Sequence, residues 1–128
     1  MGVVRVVVDD IGEIQDCMAE NSQMHGIEVG PTGKAAISGT KVRNNQDAGL
    51  QVRGEATIKD SSITANRLDG VLACKQGENE EGKGIVTVGE NVECSGNNTG
   101  NHHGCSDYTA LADGTFVGLP RERILVSA

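Results

Sequence analysis

Asp69 and His103 each stand immediately before a glycine, Gly70 and Gly104, that opens a short stretch of similar pattern. If those two glycines occupy equivalent places in successive turns of a repeating structure, the carboxylate and the imidazole become neighbours. An Asp–His contact orients the imidazole and raises its basicity, which is the arrangement general-base catalysis uses. An ordinary surface ion pair at a corner has the same composition, and it is the commoner use of such a pair. Glu28 is the second acid that a cleavage mechanism would draw on, so Glu28, Asp69 and His103 form the candidate catalytic set.

Other groupings are weaker. Cys94, His102, His103 and Cys105 collect four possible zinc ligands within twelve residues. Their spacing matches no zinc finger or ribbon, and adjacent histidines on a loop seldom chelate one ion together. No metal site is therefore expected. The run Glu78-Asn79-Glu80-Glu81-Gly82 lacks the alternating acids of a calcium loop and reads as a solvated protrusion. Asn97-Asn98-Thr99 is a glycosylation sequon, meaningful only in a secreted chain. Walker, nucleophile-elbow and dinucleotide motifs are absent, and no cofactor is expected.

The elements that must position these residues come from a single domain of 128 residues and 13.3 kDa. A formal charge of −7 argues against a phosphate-backbone binder. One Tyr, one Phe and no Trp cannot build a stacking platform for bases. No apolar run approaches the ~20 residues of a membrane span. Arg5, Asp9 and Asp10 break up the apolar start, which reads as a strand and not as a signal peptide. Four cysteines without a paired framework read as free thiols. The balance points to an intracellular setting, or to a piece of a longer chain.

Gly-apolar-x-apolar recurs as Gly26-Ile27-Glu28-Val29, Gly49-Leu50-Gln51-Val52 and Gly70-Val71-Leu72-Ala73. Gly104-Cys105-Ser106-Asp107 is a weaker fourth instance, and Val6-Val7-Val8 fits one step earlier. The apolar starts Val6, Ile27, Leu50, Val71 and Cys105 are 21, 23, 21 and 34 residues apart. Within each unit a second pair follows (Gly12/Ile14, Ala35/Ile37, Ala56/Ile58), then a third apolar position (Ala19, Val42, Ile63), then a polar one (Ser22, Asn45, Asn66). From Ile14, Ile37 and Ile58 to the next start is always 13 residues. The 34-residue unit fits with insertions of nine and four, Val86/Val88 taking the second pair, Val92 the third position and Ser95 the polar one.

Three short strands per ~21 residues describe one coil of a right-handed parallel β-helix, all-β, of about five coils. Residues 1–107 form the solenoid, with insertions at about 74–85 and 96–103, and 108–128 form a C-terminal tail or cap. Aliphatic rows face inward, and Ser22/Asn45/Asn66/Ser95 make a polar ladder at a turn. Glycine before each first strand supplies backbone freedom for a corner. The uncovered N-terminal edge invites pairing with further coils of a longer chain or with another copy.

The repeat resembles the parallel β-helix (PbH1) family, the pectin-lyase-like superfamily, over residues 6–107. That resemblance implies polysaccharide lyases, hydrolases and epimerases, or non-catalytic recognition modules, as relatives. It also implies that catalytic acids would lie on the outer face of the first sheet and its flanks. The outward row there is Val7, Glu28, Gln51, Leu72 and Ser106, and the next is Asp9, Gly30, Arg53 and Cys74, each with one carboxylate. Retaining pairs need acids ~5 Å apart, as on adjacent coils, and inverting pairs need about two coils of separation. Neither pattern is present. The expectation is a non-catalytic recognition or structural module, with Glu28, Gln51, Arg53 and Leu72 as contact residues for a protein segment or glycan. A polysaccharide-cleaving or epimerising enzyme is the alternative.

Overall fold

The computed structural model describes residues 2–3, 5–75, 82–111 and 113–127. Strand β1 (Gly2–Val3) precedes four coils of three strands each: β2 (Val6–Val8), β3 (Ile11–Gln15), β4 (Met18–Glu20); β5 (Ile27–Val29), β6 (Lys34–Ser38), β7 (Lys41–Arg43); β8 (Leu50–Val52), β9 (Glu55–Lys59), β10 (Ser62–Thr64); β11 (Val71–Cys74), β12 (Ile85–Val88), β13 (Glu93–Ser95). A fifth coil contains β14 (Tyr108–Leu111), β15 (Thr115–Val117) and a short 3₁₀ turn at Arg121–Arg123. β16 (Leu125–Ser127) then returns to the first sheet. Every described pairing is parallel, and the strands sort into three sheets. The chain is a parallel β-helix of about five coils.

In-register pairing stacks like on like. Ile14, Ile37, Ile58 and Val88 form one inward row, and Val8, Val29, Val52 and Ala73 another. These side chains are almost fully buried, so the aliphatic rows are the core. The strands are short because left-handed backbone recurs at the corners. Asp16, Gly39, Asp60 and Asn91 share positive φ at one corner, and Asn21, Asn44, Ala65 and Gly96 share it at the next. Short polar side chains and glycine tolerate that region best, which accounts for most of the residue types found there.

The polar ladder is present, with one member changed. The Ser22 N–H donates to Asn45 Oδ1 (3.0 Å), and Asn45 Nδ2 donates to Asn66 Oδ1 (2.9 Å). Asn66 Nδ2 donates in turn to Asn97 Oδ1 (2.8 Å), and Asn97 Nδ2 to Asp107 Oδ1 (2.8 Å). Asn97 therefore takes the place expected of Ser95, which lies on β13 opposite Thr64 and faces solvent. Cys94, not Val92, pairs with Ile63. One extra residue before β13 moved the phase.

Gly26, Gly49 and Gly70 have no positive φ, so backbone freedom does not explain them. A Cβ at Gly49 would lie 2.6 Å from Asn66 Nδ2, and one at Gly26 would lie 2.5 Å from Asn45 Nδ2. They are glycines because the ladder amides occupy the space a side chain would need.

The fifth coil also departs from expectation. Val71 pairs with Tyr108, three residues beyond Cys105, so the second insertion is seven residues and not four. The 108–127 segment both continues the winding and closes the core. Tyr108 and Phe116, the chain's only aromatics, meet edge to face at 5.5 Å, and the Arg123 guanidinium lies 5.3 Å from the Tyr108 ring centre.

Asn66→Ala should lower the unfolding free energy by about 3 kcal/mol, since Asn45 then loses its acceptor in a buried setting. Ser95→Ala should cost under about 0.5 kcal/mol, as exposed substitutions generally do. Urea unfolding of the two variants checks the ladder and its membership together.

Candidate functional site

The outward row of the first sheet runs Val7, Glu28, Gln51, Leu72 and Thr109 by strand register. Thr109 replaces the expected Ser106 because of the three-residue shift of β14. Between the first coils the row opens into a depression of about 110 Å³ lined by Val7, Asp9, Glu28, Pro31, Gln51 and Arg53, among others. Glu28, Gln51 and Arg53 thus come together, and half-buried Leu72 stands one coil further along the same row.

Glu28 is not a free acid. Arg5, from the strand edge before β2, holds its carboxylate in an ion pair, and only 17 % of the Glu28 side chain is exposed. Asp9 is the depression's second carboxylate, and Arg53 is the guanidinium in its lining.

Asp69 and His103 do not come together. The register that pairs Val71 with Tyr108 sets Asp69 beside Ser106, not His103. Asp69 Oδ1 accepts hydrogen bonds from the Thr109 hydroxyl and from the Ser106 N–H (3.2 Å). It is a buried carboxylate that fixes the entry to β14. His103 is exposed on the inserted loop. That loop is organised by Asn98, whose amide contacts the backbone of His102 (2.7 and 3.0 Å) and of Cys105 (3.4 Å).

On the surface, Glu20 and Arg43 of neighbouring coils form an ion pair at 3.0 Å. Asp60 accepts from the Asn91 amide (2.9 Å), the residue at the equivalent corner of the next coil. Among the described residues, no group of three or more His, Cys, Asp or Glu could hold a metal ion. The acidic stretch at 78–81 lies outside the described residues. No helix of the described residues is long and apolar enough to cross a membrane.

His25 is a member of this site that the sequence reading missed. It is buried beside the contact row, with Nδ1 accepting the Ala48 N–H (3.2 Å) and lying 3.6 Å from Asp47 Oδ1. Nε2 is 3.9 Å from Glu28 Oε1. The signal was available: His25 precedes Gly26 as Asp69 precedes Gly70, and Ala48 fills the same place between them.

No known protein family, curated protein or solved structure matches the chain.

Two larger open grooves follow the corners. One of about 380 Å³ is lined by Lys41, Asp60, Ser62 and Glu93 among others, and one of about 310 Å³ by Asn21, Asn44, Gln46, Arg67 and Thr99. They trace the left-handed turns at Gly39, Asp60 and Asn91 and at Asn21, Asn44 and Ala65.

The four cysteines are free. Burial, reinforced by the negative charge of Asp107, pushes the Cys94 thiol from 9.0 up to about 12. Burial likewise raises Tyr108, whose hydroxyl has no hydrogen-bond partner among the described residues. Both groups favour the protonated folded state, so the unfolded chain releases its protons first as pH rises. Stability contributed by Cys94 should be constant below about pH 8 and fall between about pH 9 and 12, at up to about 1.4 kcal/mol per pH unit. Unfolding curves of the wild type and Cys94→Val across that range should diverge, the variant losing less. The sequon gives a second expectation. Asn97 Nδ2 is committed to Asp107 and to the Ile63 carbonyl (3.0 Å), so folded protein made in a secretory host should carry no glycan at Asn97 by mass spectrometry.

Proposed function

We propose that this chain is a non-catalytic recognition or structural module that uses the first sheet as its contact face. The observation that carries this reading is the engagement of its acids. Glu28 is held by Arg5, and Asp69 by Thr109 and Ser106. Of the depression's two carboxylates only Asp9 stands outside an ion pair among the described residues, whereas glycoside cleavage uses two that act together. His103, which would have supplied a base, stands three residues upstream of the Asp69 register.

A binding role asks less of the surface. The row Glu28, Gln51 and Leu72 offers an acceptor, an amide and an apolar side chain at the spacing of adjacent strands, with Arg53 beside them. A ligand lying along the solenoid axis would meet one such residue per coil. With one Tyr and one Phe, both at the far end of the core, the face has no ring on which a sugar could stack. That favours a protein segment over a glycan. The pectin-lyase-like kinship implied by the repeat belongs to the same proposal and is compatible with it, since one fold hosts many functions. Among the described residues β2 and β3 are edge strands of their sheets, and further coils or a second copy are the partners proposed there.

A random peptide display library and a glycan array test the face. Leu72→Arg and Gln51→Arg should weaken any selected binder at least tenfold, while Lys59→Glu on the second sheet should leave it unchanged. A reproducible turnover of uronate polymers or neutral glycans, lost in Glu28→Gln, Asp69→Asn or His103→Ala, would overturn the proposal.

A further inference from the structure

The ring of His25 lies between two carboxylates and reads both through different nitrogens. Nδ1 accepts the Ala48 N–H at 3.2 Å, so in the neutral ring the proton sits on Nε2. The same N–H donates to Asp47 Oδ1 at 3.0 Å, and that oxygen is 3.6 Å from Nδ1. Nε2 points towards Glu28 Oε1 at 3.9 Å, beyond hydrogen-bonding reach, while Glu28 Oε2 is taken by Arg5.

We infer that His25 is a proton-operated clamp on Glu28, and that its protonation weakens the carboxylate's hold on the Arg5 guanidinium at the first-sheet face. The groups around the ring define both states. A proton added from solvent at Nδ1 ends the bond from Ala48, whose N–H keeps Asp47 as its acceptor. Asp47 can then accept from Nδ1–H with a shift of well under an ångström. The imidazolium presents Nε2–H with a full positive charge to Glu28, which must now be shared with Arg5. The charged groups facing the ring, among the described residues, are Glu28 on its own strand and Asp47 on the next coil, with Arg5 reached through Glu28.

The consequence for binding rests on the proposed contact face. With the imidazolium charge added and Arg5 held less tightly, that face gains positive charge on acidification and should favour an acidic segment. The exchange itself belongs to the free protein and can be tested without any ligand.

Nuclear magnetic resonance of the isotope-labelled full chain between pH 8 and pH 5 supplies the test, with exposed His102 and His103 as references. At pH 8 His25 should show the Nε2–H tautomer. On acidification the Ala48 amide and the Arg5 Nε–H should shift with the midpoint of the His25 ring. Glu28→Gln should abolish the Arg5 response while His25 and Ala48 still respond, and His25→Gln should leave Arg5 flat. An Arg5 signal that stays still while His25 protonates, or an Nδ1–H tautomer at pH 8, would overturn the clamp. Failure of the binding screens with this exchange intact would count against the contact face alone.

Discussion

The asparagine ladder sets the phase of the whole solenoid. Each amide oxygen accepts from the coil before it, and each amide nitrogen donates to the coil after it, so the bonds run in one direction from Ser22 to Asp107. A carboxylate is a fitting terminus, because it accepts without needing to donate. Asp107 Oδ1 takes both the backbone N–H and the amide of Asn97 (3.1 and 2.8 Å). Because the amides are buried, a coil slipped by one residue would strand donors in a dry interior, at roughly 1–3 kcal/mol for each. The ladder also dictates glycine at 26, 49 and 70, and through that tight corner it fixes where each strand of the first sheet begins.

The same periodicity made the fold legible in the sequence. Wherever coils keep their 21–23-residue length, apolar identity and spacing locate every row, as Ile14, Ile37 and Ile58 show. Reading failed where the chain was longer. Val92 is a branched aliphatic residue of the kind that fills the third row in earlier coils, and Ser95 resembles the Ser22 end of the ladder, so a one-residue insertion was absorbed in the wrong place. Burial decides such a case in the molecule: Cys94 is in the core and Val92 only partly so. The next error followed from it. Gly104 looked like the corner glycine, yet its φ is +84° and it stands in a loop. The residue at the corner itself is Asp107, which a glycine-centred pattern cannot find.

Legibility of the site divided along the same boundary. Glu28, Gln51, Arg53 and Leu72 lie in regular coils, and their grouping followed from register alone. Asp69 and His103 straddle the insertion and are apart. Arg5 and His25 escaped because neither belongs to a row of like residues. Arg5 stands where later coils carry glycine, and His25 where they carry Ala48 and Asp69. Departures from a repeat are where a solenoid places what its neighbours do not need, and here both departures converge on Glu28.

The distribution of aromatics follows from the same geometry. Within regular coils the core is narrow, and Val, Ile, Leu and Ala fill it without rings. Tyr108 extends the row of Val71, and Phe116 extends the row of Ala56 and Val86. Two rings at the last complete coil cover more cross-section than two aliphatic side chains would, and the Arg123 guanidinium adds a charged outer surface. Tyr108 and Cys94 are neighbours in this buried end, and both resist ionisation because burial removes the water that would solvate an anion. Closure of the core at this coil and the raised proton affinity of Cys94 and Tyr108 therefore share one physical cause, burial.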